Sequence, residues 1–273
     1  MTRTLKIGTS GWSYPDWVGP FYPAGARPID FLSLYAERFD CVEVDSTYYA
    51  IPNSRTVQGW RDRTPEGFRF ALKAPGAITH EKVLVDCDRE RDRFLDAVSC
   101  LGDKLWIVLL QFGYFNKKAF AGPREFFTRL DSFLHGWPPR VPVAVEIRNR
   151  TWLGDDYFGL LKSHRAAAAV AEHVHMPRLE SVLAQYDVRT GPVLYTRLIG
   201  DRYGIEKVTT TWDRVVIDRS DRIDAIAASV AHLLPKIDVV VFVNNHFAGH
   251  GPASCAAFLE AMARATAEGP QRE

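Results

Sequence analysis

VPVAVEIR (141–148) sets Val143, Val145 and Ile147 on one side of an extended chain and Glu146 and Arg148 on the other. Successive side chains of a strand point to opposite faces, so this parity separates two environments. Valine and isoleucine suit packing against helices, which sends the two charged residues to the interior face of the sheet. CVEVDSTY (41–48) repeats the arrangement, with Val42 and Val44 outward and Glu43 and Asp45 inward. Both stretches place their charges at the C-terminal end of the run.

Six further runs read as strands: 6–11, 68–74, 105–112, 166–173, 193–200 and 238–245. Between them lie segments of helical period at 28–39, 54–63, 90–101, 122–135, 155–163, 221–233 and 254–268, the connection 174–190 having the weakest helical pattern. Pro28 and Ser54 read as helix starts. Strand alternating with helix implies parallel pairing, because each return crossover needs a helix. The expected fold class is therefore α/β, a single (β/α)8 TIM barrel spanning residues 1–273, with the last six or so residues a flexible tail. No GxGxxG follows the first strand, which removes the main reason to prefer an open doubly wound sheet.

Hydrophobic residues make up 47% and charged residues 25%, a balance that can build a core without staples. The formal net charge of +1 supplies no global pull toward nucleic acid and argues against it as a partner. Cys41, Cys87, Cys100 and Cys255 show no CxxC spacing, so free thiols are expected rather than a zinc site. The N-terminal MTRTLKIGTSGW lacks the apolar core of a signal peptide, and no apolar run approaches the about 20 residues of a membrane span. A cytoplasmic protein with no membrane contact, monomeric or homodimeric, is the expectation.

The same parity applied to the other strands builds an inward polar ring. Lys73 closes the third strand, Gln111 the fourth and Asn244 the eighth, while Tyr195 and Arg197 point inward on the seventh. Such barrels carry their chemistry at the C-terminal strand ends. Buried charges there must pair with one another or with a ligand. A self-satisfied ion-pair plug is the structural alternative to a functional pocket. The loops above add further groups. SGWSYPDWVGPFYP (10–23) supplies Trp12 and Tyr14 as an aromatic wall or, alternatively, a packed lid. Tyr49 follows the second strand, KAPGAITHEKVL (73–84) brings His80, RNRTW (148–152) brings Trp152, and NNHFAGHGPAS (244–254) brings Asn245 and His246. Gly249 and Gly251, ahead of a helix expected near Ser254, would suit an anion held by backbone N–H groups.

The segments GTSGWSYPDWVGPFYP (8–23), VEVDSTYYAIP (42–52), FALKAPGAITHEKVL (70–84), VEIRNRTW (145–152), YTRLIG (195–200) and FVNNHFAGHGPAS (242–254) resemble the YecE-like proteins, the domain of unknown function 72 family. The resemblance covers nearly the whole chain. It implies a TIM barrel without an agreed activity. Departures from the family pattern fall at Gln111-Phe112-Gly113-Tyr114, at Ile199-Gly200 and at Glu172-His173.

The residues suggest an enzyme for an anionic small molecule, a phosphorylated or carboxylated metabolite. Lys73, Arg148 and Arg197 would hold the anion, and Glu43 or Glu146 would act as general acid or base beside Asp45. His80 or His246 would be a second proton-transfer group. The reaction class, hydrolase or isomerase or lyase, stays open, and the cofactor is unknown. Alternatives are a metal-dependent hydrolase or isomerase, against which the nearby cations compete and no HxH or HExxH motif speaks; a glycosidase using Glu43 and Glu146, against which an arginine salt bridge to either would count; and a non-catalytic nucleic-acid or ligand-binding barrel. No metal ligand is assigned.

Overall fold

Short runs of β-branched and small apolar residues form eight strands in the computed structural model, which describes residues 3–267. They are β1 (Leu5–Thr9), β2 (Cys41–Val44), β3 (Arg69–Lys73), β4 (Leu105–Gln111), β5 (Val143–Glu146), β6 (Ala167–His173), β7 (Val193–Gly200) and β8 (Asp238–Val243). The last six residues, expected as a frayed tail, lie outside the described residues. The helices among the described residues are α1 (Phe31–Ala36), α2 (Ser54–Asp62), α3 (Asp88–Val98), α4 (Pro123–His135), α5 (Asp155–Ser163), α6 (Leu179–Gln185), α7 (Arg202–Glu206), α8 (Ser220–Leu233) and α9 (Gly251–Ala267). The strand order in the sheet is β1-β8-β7-β6-β5-β4-β3-β2, with parallel pairing in every recorded register. Consecutive strands are thus neighbours, joined through helices, which is the order of a TIM-barrel-like α/β fold. No helix among the described residues is long and apolar enough to cross a membrane.

Some boundaries differ from the sequence reading for local reasons. The cap of α2 is Asn53, whose Oδ1 accepts from Thr56 N at 2.9 Å, so Ser54 is the first helical residue rather than the cap. Helix α9 begins at Gly251 instead of near Ser254, because Asn245 Oδ1 already accepts the Gly251 N–H at 2.8 Å. Helix α7 is a five-residue turn started by Asp201, which accepts from Gly204 N at 3.1 Å. Its period is too short to register in a sequence pattern. The four cysteines are free, three of them buried.

The chain divides into two compact units. One holds the residues up to Val42, Val170–Gln185 and the chain from Val193 onward; the other holds Glu43–Ala169 and Tyr186–Pro192. In the first, β8 registers with both β1 and β7, pairing Ile7 with Val241 and Arg197 with Phe242. In the second, β4 registers with β3 and β5, pairing Lys73 with Leu109 and Gln111 with Glu146. Valine and leucine from β7 and β8 are buried, as are Val108, Leu109 and Leu110 of β4.

Tyr35 of α1 anchors the first unit. It is fully buried, accepts from Thr9 N at 2.8 Å and donates to Cys41 O at 3.1 Å. One phenol thereby joins the end of β1 to the start of β2. The approach is close enough that a Cβ on Gly8 would sit 2.2 Å from Cys41 O, so glycine is the residue the packing admits there. Replacing Tyr35 with Phe removes the partner of a buried N–H and a buried C=O together. The expected cost is about 1–3 kcal/mol, read as a lower urea midpoint with unchanged slope.

Candidate functional site

In the second unit, charged and polar side chains lie at and just beyond the C-terminal ends of β2 to β5. Glu43 is fully buried and Asp45 half-buried. Beyond β2 the chain turns through a single 3-10 turn, Ser46–Tyr48. Thr47 in that turn donates its hydroxyl to Lys73 O at 2.6 Å, tying the turn to the end of β3. The tie brings the Tyr48 ring under the Lys73 ammonium, 4.4 Å from the ring centroid. Cation and aromatic face attract through the ring quadrupole. Burial pushes the Tyr48 phenol above its ordinary value, with smaller contributions from Tyr49 and Glu81, so it stays neutral.

The loop after β3 forms a π-helical turn, Ala77–Glu81, a geometry found mostly at functional positions. It delivers the His80 ring edge-on to Tyr48 at 5.0 Å. His80 Nδ1 lies 2.8 Å from Thr79 Oγ1, and a Cβ placed on Gly113 would lie 3.5 Å from Nε2. Burial lowers the His80 pKa below the ordinary imidazole value, and the Lys73 charge lowers it further. Both causes disfavour imidazolium, so the ring is neutral at neutral pH. The backbone beyond is left-handed at Val83 (φ 43°), Leu84 (φ 68°) and Asp86 (φ 48°). A β-branched residue in that region is strained. The loop is held by Leu84 N to Ile78 O at 2.9 Å and by Lys82 Nζ, which donates to Asp86 O and Glu90 Oε1, each at 2.8 Å.

On β5, Glu146 is 1% exposed and pairs with Arg148 Nε at 2.5 Å. Arg148 lies two residues beyond the end of β5. Gln111, aligned with Glu146 across the β4–β5 ladder, donates Nε2 to Phe112 O at 2.5 Å. Trp152, expected at a binding wall, instead packs within an aromatic cluster, 5.4 Å from Phe126 and 6.0 Å from Phe115. Tyr49, also expected to bind, is 81% exposed, and Tyr48 takes the contacts with Lys73 and His80. The sequence parity that finds strand residues does not extend through the turn that positions Tyr48.

The remaining candidates lie in the first unit. The loop 10–23 is largely a packed lid. Trp17 and Tyr22 are buried, Tyr22 stacks on Phe31 at 4.6 Å, and Trp12 and Tyr14 are half-buried beside them. Tyr14 donates its hydroxyl to Ser10 O at 2.9 Å. Tyr195 is fully buried against Phe242, and Arg197, one residue pair along, is 3% exposed. Asn244 turns its Oδ1 onto His246, accepting from the backbone N at 2.9 Å and facing Nδ1 at 2.6 Å. Asn245 caps α9. His246 Nε2 faces Glu206 at 3.3 Å, and burial outweighs that carboxylate in lowering the His246 pKa. Glu172, at the end of β6, is consumed by structure. Its Oε2 accepts from Leu179 N at 3.0 Å, and its Oε1 faces Arg178 at 3.2 Å and Arg222 at 2.9 Å. Arg222 also forks onto both oxygens of Glu180. Among the described residues no group of three His, Cys, Asp or Glu side chains is arranged to hold a metal ion.

Comparison with known proteins adds the wider context. The sequence profile described as "Protein of unknown function DUF72" matches residues 6–273. UPF0759 protein YecE of Escherichia coli (strain K12) is 36% identical over 145 residues, 53% of this chain and 48% of that protein. UPF0759 protein YunF of Bacillus subtilis (strain 168) is 31% identical over 162 residues, 56% of this chain and 54% of that protein. The aligned stretches span about half the length of these curated relatives. The crystal structure of a DUF72 family protein from Thermotoga maritima superposes with a TM-score of 0.75 at 24% identity, covering 95% of this chain and 99% of that one. At that identity the likeness speaks for the fold.

Lys73→Met removes one of the two causes that depress His80. Histidine NMR titration should then show the His80 pKa rising toward, without passing, the ordinary imidazole value, since burial persists.

Proposed function

The chain belongs to the DUF72 family, and on that premise we propose that it is an enzyme acting on an anionic small molecule, phosphorylated or carboxylated, bound at the ends of β2 to β5. The observation that carries the reading is the trio Lys73, Tyr48 and His80: an ammonium seated on an aromatic face, with a neutral imidazole on the same ring. Lys73 is the anion's partner. His80 is the proton-transfer group. With Thr79 Oγ1 accepting from Nδ1–H and sending its own proton to Pro75 O at 3.5 Å, Nε2 is left as the basic nitrogen.

Binding and basicity are coupled in this arrangement. An anion beside Lys73 offsets the field that holds the His80 pKa down, so the imidazole gains proton affinity when the ligand arrives. A base poised in this way suits proton abstraction or water activation, the steps that isomerases, lyases and hydrolases share. Glu43, buried on β2, and Asp45 are the carboxylates on hand for the complementary proton transfer. Glu146 is engaged by Arg148. That ion pair argues against a glycosidase built on Glu43 and Glu146, which needs one carboxyl as a proton donor. Arg148 and the buried Arg197 then serve first as partners of the protein's own groups.

The experiment is a titration of isotopically labelled histidine in the protein with inorganic phosphate and with malonate, His80 being assigned through His80→Gln. Saturation with either anion should raise the His80 pKa by about half a unit or more, the scale of one nearby charge in partly exposed surroundings. Lys73→Met should abolish the response. An unmoved His80 in the wild type, or an equal response in Lys73→Met, would overturn the reading.

A further inference from the structure

A cavity of about 330 Å³ opens in the first unit, with walls that include Glu172, Arg178, Gly200, Asp201, Arg219 and Phe247. We propose that it is an anion-binding site, taking the phosphate or carboxylate group of a small molecule on the guanidinium of Arg219. This inference uses residues of one unit alone and does not depend on the reading of Lys73 and His80.

The carboxylates around the cavity are already committed to partners other than Arg219. The Glu172 carboxylate is spent on Leu179 N, Arg178 and Arg222, and Glu180 takes up the rest of Arg222. Asp201 turns its Oδ1 onto Gly204 N at 3.1 Å, and its Oδ2 lies so close to the same residue that a Cβ there would meet it at 2.5 Å. Its carboxylate therefore folds back on the first turn of α7. Asp218, next to Arg219 in sequence, accepts from Ser220 N at 2.9 Å and Ser220 Oγ at 2.8 Å. No carboxylate among the described residues forms an ion pair with Arg219. A half-buried guanidinium without a counter-charge is a cost that a bound anion removes.

Arg219 is also held in position. Its Nε donates to Phe247 O at 3.0 Å, and its guanidinium carbon lies 5.8 Å from the centroid of the Phe247 ring. With Nε occupied, the Nη groups remain for a ligand, and a planar fork matches the oxygens of carboxylate and phosphate. Gly200 makes the placement of Phe247 feasible. Its φ is +77°, and a Cβ there would meet His246 O at 2.6 Å and Phe247 Cα at 2.7 Å, so the end of β7 rests directly on the backbone that orients Arg219. The position, between the segments following β6, β7 and β8, is where (β/α)8 proteins frequently hold phosphate groups. The volume suits a small metabolite rather than a polymer.

The test is binding of inorganic phosphate at constant ionic strength, by calorimetry and by heteronuclear NMR on arginine side chains. In the wild type the Arg219 Nε–H resonance should shift as phosphate is added. Arg219→Gln should weaken this binding by about tenfold or more, with Arg219→Lys between the two, because the charge returns without the fork. Lys73→Met should leave the Arg219 response intact, which separates this site from the one at β2 to β5. An Arg219 resonance that phosphate does not move overturns the proposal even where the variants fail to fold. So does a folded Arg219→Gln protein that binds as the wild type does.

Discussion

Glu146 loses nearly all of its solvent and pairs with Arg148, two residues further along the chain. A carboxylate stripped of water and left bare would cost several kcal/mol, so this pair is a condition for the strand end to exist at all. The same demand recurs at Glu172, where two arginines and a backbone N–H meet one carboxylate. At both positions the pairing answers the cost of burial. What distinguishes a site from a plug is a cation that this internal accounting does not consume.

Lys73 and Arg219 are two cations held in different ways. Lys73 sits over the face of Tyr48, and its charge adds to the burial that lowers the His80 pKa. Arg219 is oriented by the contact of its Nε with a carbonyl and by the Phe247 ring beside it, and no carboxylate among the described residues forms an ion pair with it. In both cases the backbone does the positioning. A 3-10 turn and a π-turn assemble Tyr48 and His80, and a left-handed glycine lets β7 close on Phe247. The left-handed residues Val83, Leu84 and Asp86 lie just beyond the π-turn, which is where a functional site would store such strain.

The polar residues of the last loop show how a plausible ligand can turn out to serve the fold. Asn244 and Asn245 look like hydrogen-bonding groups for a substrate, and each spends its side-chain oxygen on nearby backbone N–H groups. Trp152 and most of the aromatic loop 10–23 likewise fill space. Buried donors and apolar surface require satisfaction before they can recognise anything else.

The alternation of short apolar runs with segments of helical period carried the eight strands and their parallel order, because both patterns are local properties of the chain. Glu146 and Arg148 could be nominated as charged neighbours because they lie two residues apart in the chain. Lys73 and His80 could be nominated from the end of β3 and its loop. Tyr48 in place of Tyr49, the capping roles of Asn53, Asn244 and Asn245, and the convergence of Arg219 with Phe247 and Gly200 came only from the tertiary structure. Those depend on turns, where the side-chain period breaks down, and on contacts between segments tens of residues apart, whose approach is set by packing and leaves no trace in local sequence.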